Sequence, residues 1–299
     1  MRGAGLSEGE SISACLLCYN DAATIGRLVE RAGRALDELG ADGEIVVVDD
    51  GSADESLDRL AEAGAEEPRL RVVEHASNRG YGGALRSALG AAEGDWIFYT
   101  DGDNQYDPMQ LVRLAERAGP EVDWVQGYKA HRSDTFARRV VGSLYAAAMG
   151  FLFGLPIRDV DCDFRLMRAE VVRDLRLEKR SGAICVELVR QLRDAGARSV
   201  EVEVDHYERL HGRSQFFRPR RILFSLYDVA TLWVRLIARP ALGRLVGRGG
   251  RASLSSSKAR GGRGGRAACS RPPPGARAQS GPGGPRRTRR ARARTGSPG

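Results

Sequence analysis

The sequence predicts an α/β fold built on a mostly parallel central sheet, and three observations lead there. Short β-branched runs alternate with stretches of helical periodicity through the first half of the 299-residue chain. Polar clusters stand at the ends of those runs, where parallel sheets place their ligands. Apolar residues at 42% and charged residues at 29% are values of a globular domain with a sizeable core, which excludes wholesale disorder.

Each element follows from its own pattern. Ile12–Cys18 is a short apolar run, and Asn20-Asp21 after it can cap a helix. Ile25, Leu28, Val29, Ala32, Leu36 and Leu39 then recur at helical spacing. Glu44–Val48 is a β-branched run that stops at Asp49-Asp50-Gly51-Ser52, before a helix rich in Asp and Glu. Leu70–Val73 reads as a third strand, Ala84–Ala92 as a helix behind a glycine-rich turn, and Trp96–Tyr99 as a fourth strand. Further on, Val140–Leu155 has the apolarity of a helix, Phe164–Met167 of a strand, and Ile184–Ala195 of another helix. Val200–Val204 alternates as a strand does. Ile222–Ala238 is a strongly apolar helix that carries Asp228 and Arg235, seven apart and so on one face.

Mapping the charge changes its meaning. The formal net charge of +8 suggests a nucleic-acid binder, but 14 Lys and Arg and no acid lie between Gly247 and Gly299. The remainder carries 33 basic against 39 acidic residues, a balance of −6. A basic tail on an acidic domain argues against nucleic acid as the partner. The tail is Arg, Gly, Pro, Ser and Ala without periodicity, a composition that reads as disordered. The organisation expected is a flexible stretch over 1–10, a folded α/β domain over 11–217, an amphipathic, apolar helical segment over 218–246 and the tail over 247–299. Five cysteines, an odd and small number, imply no disulfide framework. With no signal-peptide pattern and no run of about 18 apolar residues, a cytoplasmic protein without a membrane-spanning helix is expected.

Chemistry concentrates at the strand ends. Asp101-Gly102-Asp103, followed by Asn104-Gln105, sets two carboxylates one residue apart where Gly102 permits a sharp turn. Such a pair, with coordination positions left open, suits a hard cation that also takes phosphate oxygens. A capped turn before Asp107-Pro108 is the plainer alternative. Asp49-Asp50-Gly51-Ser52-Ala53-Asp54 offers Asp50 to a base or ribose, while Ser52 and Asp54 also suit helix capping. Asn78-Arg79-Gly80-Tyr81-Gly82-Gly83 is shaped like a phosphate cradle but lacks the spacing of either common nucleotide loop.

In order and spacing, Cys18-Tyr19-Asn20-Asp21, the run 46–54, Asn78-Arg79-Gly80 and Asp101-Gly102-Asp103-Asn104-Gln105 resemble the motif series of family 2 glycosyltransferases. Within it, residues 10–217 are most similar to the polyprenyl-phosphate sugar synthases, which include dolichol-phosphate mannosyl- and glucosyltransferases. The resemblance implies a GT-A, Rossmann-like fold, a UDP- or GDP-linked sugar donor, Mg²⁺ or Mn²⁺, and inversion at the anomeric carbon. It implies that Tyr19, Asn20, Asp21, Asp50, Ser52, Arg79 and Asp101 hold the donor, and that Asp101, Asp103 and Gln105 bind the metal. Cys18 departs from the family's Pro and Asp21 from its Glu.

The acceptor side is read the same way. Gly127-Tyr128-Lys129 resembles the family's Gly-x-Arg, and Arg209 through Ser214 its Arg-x-x-Gly-x-Ser. Lys129, Arg139, Ser143 and Ser214 are the residues expected to meet the acceptor or its phosphate, with Arg139 and Ser143 on one helical face. Asp103, Asp159 and Arg209 are the expected catalytic residues. Asp159 matches a family acid, whereas Asp163 stands where Gly is common. The acceptor implied is a polyprenyl phosphate at the membrane surface. The rivals are a soluble family member that glycosylates a hydroxyl with Asp159 or Asp161 as base, and a degenerate nucleotide-binding module. Cys15 and Cys18, three apart on a strand, face opposite ways, so no redox or metal motif is expected there. Trp96, Trp124 and Trp233 suit core or interface packing, and the four histidines show no metal-ligand spacing.

Overall fold

The computed structural model describes residues 5–132, 136–209 and 219–241. All belong to one compact unit, Met1–Arg248. The expected disordered tail over 247–299 lies outside the described residues.

Seven strands form one sheet in the order β3-β2-β1-β4-β6-β5-β7. They are β1 (Ile12–Cys18), β2 (Gly43–Asp49), β3 (Leu70–Glu74), β4 (Trp96–Asp101), β5 (Trp124–Arg132), β6 (Arg165–Arg168) and β7 (Ser199–His206). Pairing is parallel except at β6, which runs antiparallel to both β4 and β5. The expected mostly parallel sheet is therefore present, with one reversed strand, β6, between β4 and β5.

Helices cover both faces, as parallel strands buried on two sides require. They are α1 (Ile25–Leu39), α2 (Ser56–Glu66), α3 (Tyr81–Ala91), α4 (Leu111–Ala115), α5 (Phe136–Phe153), α6 (Ala169–Arg173), α7 (Ala183–Asp194) and α8 (Pro219–Trp233), which continues as a π-helical turn, Val234–Ala238. Strand alternation sorts the core. Ile12, Ala14, Leu16 and Cys18 of β1 pack toward α1, α2 and α4. Cys15 and Leu17 pack toward α3, α5, α6, α7 and α8. Cys15 and Cys18 thus lie in opposite layers, both buried and free. Trp96 and Trp124 are fully buried, as their core reading requires. Within the stretch 1–10, Leu6 packs on the first layer and Glu10 pairs with Arg168 at 2.9 Å. No helix among the described residues is long and apolar enough to cross a membrane.

Candidate active site

The carboxyl ends of β1, β2 and β4 are laced into one platform. Asp50 N–H donates to Cys18 O at 2.9 Å, and Gly102 N–H to Leu17 O at 2.7 Å. The Thr24 hydroxyl donates to Gly102 O at 2.7 Å. Asn20, held at φ 58°, joins the first two loops. Its N–H donates to the Ser52 hydroxyl at 2.9 Å, and its side-chain oxygen accepts from Ala53 N–H at 2.8 Å. Tyr19, Asn20, Asp21 and Ser52 are thereby brought together by backbone constraints, not by chance surface proximity.

Adjacent carboxylates at the end of β2 have different work. The buried Asp49 accepts from Ser52 N–H at 2.9 Å, closing the turn. Asp50 clamps the 75–80 loop: its oxygens accept from Arg79 N–H at 2.8 Å and Gly80 N–H at 2.9 Å, and one lies 2.7 Å from His75 Nδ1. The other ring nitrogen of His75 meets the Ser87 hydroxyl at 2.8 Å. His75 is buried and holds the residue it touches in place. The glycine-rich run is not a phosphate cradle. Its N–H groups at 79 and 80 serve Asp50, and Gly82 N–H donates to Arg180 O at 3.0 Å. A Cβ on Gly82 would lie 2.1 Å from Lys179 O, so glycine here permits close backbone approach. The Arg79 side chain is exposed beside this run.

Asp101 ends β4 and Asp103 follows on the turn. Asp103 Oδ1 accepts from Gln105 N–H at 3.0 Å, and Arg209 Nη2 stands 3.0 Å from Asp103 Oδ2 and 3.9 Å from Asp21 Oδ1. Asp101 Oδ1 is buried with no hydrogen-bond partner. Burial raises the carboxyls of both Asp101 and Asp103. Asp163 and each other's charge add to that for Asp101, while Arg209 opposes it for Asp103. Burial likewise pushes the Asp21 carboxyl up to about 6, with Tyr19 N–H opposing it and the charge of Asp103 adding to it. Gln105 ties the turn to the end of β7: its side-chain amide donates to Tyr207 O at 3.3 Å.

Opposite this pair, residues 159–163 carry three acids. Lys129 Nζ lies 3.9 Å from Asp159 Oδ2 and 3.2 Å from Asp161 O. Burial works against the Lys129 charge, but Asp159 and the neighbouring acids hold its pKa above the ordinary value. Burial carries the Asp161 carboxyl up to about 7, against the pull of Lys129. Beneath lies Arg165, fully buried, which the sequence reading missed. It donates to Val160 O, Gln126 Oε1 and the Tyr99 hydroxyl, and stands 3.6 Å from Asp163. Its only sequence signal was an arginine inside an apolar strand. Arg139 and Ser143 lie in α5, but their side chains are outside the described residues, as is all of Ser214.

The acids fit a hard divalent cation by one observation. A buried carboxylate oxygen without a partner, beside a second carboxylate, is costly unless a cation satisfies it. Among the described residues no three His, Cys, Asp or Glu side chains form a ready-made ligand cluster. Asp101 and Asp103 would supply two ligands to such an ion and leave positions for phosphate oxygens.

Comparison with known proteins agrees with this geometry. Residues 13–176 match the model of "Glycosyl transferase family 2". The undecaprenyl-phosphate 4-deoxy-4-formamido-L-arabinose transferase of Edwardsiella ictaluri (strain 93-146) is 31% identical over 223 residues, 74% of this chain and 67% of that protein. The enzyme of the same name from Pseudomonas aeruginosa (strain LESB58) is 34% identical over 224 residues, 74% of this chain and 64% of that protein. The chain thus spans about two thirds of the length of these relatives. Among solved structures, glucosyl-3-phosphoglycerate synthase from Mycobacterium tuberculosis with Mn²⁺ and UDP-glucose superposes with a TM-score of 0.59 at 21% identity, covering 76% of this chain and 79% of that one. Its complex with phosphoglyceric acid gives 0.59 at 22% identity, over 77% and 81%. These likenesses show a common GT-A fold.

Proposed function

The chain belongs to glycosyl transferase family 2, and from that premise we propose that it moves a sugar, with inversion, from a nucleotide-diphosphate sugar to a polyprenyl phosphate. The observation that carries the reading is the Asp101–Asp103 pair at the end of β4, with an unpartnered buried oxygen and Arg209 across it. The names of the 31–34% identical relatives support a polyprenyl-phosphate acceptor. The solved neighbour's complex with Mn²⁺ and UDP-glucose supports a divalent ion and a nucleotide-sugar donor, UDP-linked in the first instance.

In this reading the platform of Tyr19, Asn20, Asp21, Asp50 and Ser52 holds the nucleoside end, and Arg79 lies exposed at its edge. Asp101 and Asp103, aided by Gln105, hold Mg²⁺ or Mn²⁺. The ion, when bound, neutralises charge on the departing diphosphate. Arg209 adds a second cation to the same phosphates, moving from Asp103 to the donor as the site fills. An oxygen of the acceptor phosphate attacks the anomeric carbon opposite the diphosphate, the carbon–oxygen bond to the diphosphate breaks, and the configuration inverts. A phosphate is already anionic, so no base is required. Lys129 with Arg139, Ser143 and Ser214 is assigned to the acceptor.

One observation favours a second reading. An acid held near pH 7, Asp161, is suited to take a proton from a hydroxyl acceptor. The two readings share the acidic pair, so the first experiment addresses that pair. Asp103→Asn should lose donor-dependent Mn²⁺ binding, read by electron paramagnetic resonance, and lose transfer by a factor of at least about 100 while its melting temperature holds. Chelation by EDTA should do the same to the parent protein. Full transfer in excess chelator would overturn the assignment.

A further inference from the structure

Neither the metal pair nor the acceptor residues account for His75. It follows β3 directly, at the carboxyl edge of the sheet, and is 3% exposed. Both ring nitrogens of this buried side chain meet polar partners. Nδ1 lies 2.7 Å from Asp50 Oδ1, and Nε2 lies 2.8 Å from the Ser87 hydroxyl of α3. An ionised carboxylate only accepts, so the proton between His75 and Asp50 is on Nδ1. The main chain is fixed as well, since His75 N–H donates to Asp49 O at 2.9 Å.

Asp50 is just as enclosed, at 3% exposure. Its Oδ1 meets Arg79 N–H together with His75, and its Oδ2 meets Gly80 N–H. Two carboxylate oxygens offer about four lone pairs. These contacts occupy three and leave one, on Oδ2, for a ligand. The amide donors at 79 and 80 are themselves pinned from behind. Arg180 O accepts from Gly82 N–H at 3.0 Å, and Arg180 Nε donates to Arg79 O at 3.3 Å. A Cβ on Gly80 would stand 2.8 Å from Arg180 O. Two amides alone leave a carboxylate free to tilt about the line joining its oxygens. The bond from His75 comes from the other side of the loop and removes that freedom.

We propose that His75 is a positioning residue of the donor site: it fixes the tilt of the Asp50 carboxylate so that the lone pair left on Oδ2 receives an N–H or O–H of the nucleoside. Ser87 fixes His75 in turn. The inference rests on the assignment of Asp50 to the nucleoside end. Asp50 follows β2, whereas the Asp101–Asp103 pair lies at the end of β4, with β1 between the two strands. Loss of His75 therefore falls on nucleotide binding and not on the chemical step.

The test uses the full chain with Mn²⁺, and UDP and GDP as probes. His75→Ala should weaken binding of the diphosphate by about tenfold or more in calorimetry, because a hydrogen bond to a charged group is lost. KM for the nucleotide sugar should rise to match, with kcat within about twofold of the parent. His75→Asn, whose amide nitrogen stands where Nδ1 does, should recover part of the loss. His75→Gln, whose amide stands where Nε2 does, should not. In the parent protein labelled with ¹⁵N-histidine, the Nδ1–H signal of His75, assigned through single substitutions of the other three histidines, should shift when the diphosphate saturates the site. That signal decides the matter even if His75→Ala does not fold. An equal fall in kcat and kcat/KM, rescue by Gln rather than Asn, or an Nδ1–H signal indifferent to the diphosphate would each overturn the proposal. If the parent binds neither diphosphate, the donor reading falls and the proposal with it. If the parent binds one and folded His75→Ala binds it as tightly, only the positioning role falls.

Discussion

At the residue scale, the site is governed by what burial does to carboxylates. Asp161 is the sharpest case. Its folded pKa of about 7 lies above the ordinary 3.8, so the folded chain holds a proton there that the unfolded chain releases. That contribution to stability is fully present below the unfolded pKa and is lost as pH rises through about 7, because between the two values unfolding releases the proton. Asp161→Asn should therefore flatten the decline in stability between about pH 4 and pH 7 and leave a more stable protein at pH 8, measured by urea denaturation in the presence of EDTA. An unchanged pH slope would contradict the burial argument. Asp101 and Asp103 drew attention in the sequence as two acids at a strand end, and the fold sets both, buried, at the end of β4. The contact of Asp103 with Arg209 was not legible there, since it joins two loops 106 positions apart. The buried Arg165 was also hidden, because only the folded sheet shows that it holds up the 159–163 acids.

At the element scale, the apolar runs located most strands and helices, since fully buried strands and amphipathic helices leave strong local patterns. β5 escaped because WVQGYKAHR mixes glycine, polar and charged residues, and its place between β6 and β7 comes from pairing rather than composition. The reversal of β6 escaped because periodicity carries no direction. α3 begins three residues earlier than the pattern suggests, at Tyr81. Gly82 and Gly83 in its first turn weaken helix propensity, but Gly82 admits the 179–180 backbone. That reading has a consequence for stability. Gly82→Ala should gain helix propensity yet destabilise by about 1–3 kcal/mol, because the added methyl meets Lys179 O with no room to retreat. The midpoint of urea unfolding measures it, and a stabilised variant would show that the 179–180 loop yields freely.

At the scale of the whole molecule, one sheet gathers the loops after β1, β2 and β4 at its carboxyl edge. The acidic domain and the basic tail have opposite charge, so the net +8 describes neither part. Fold, family membership and the acidic pair all bear on a single event, the passage of a sugar to a phosphate oxygen. The measurement that tests it most directly is incubation with UDP- and GDP-sugars, Mn²⁺ and a short polyprenyl phosphate, with the product's mass and anomeric configuration determined by mass spectrometry and NMR. The account predicts a polyprenyl-phosphate sugar of inverted configuration, formed only with the divalent ion. Retained configuration, or sugar delivered to hydroxyl acceptors and never to the phosphate, would contradict it.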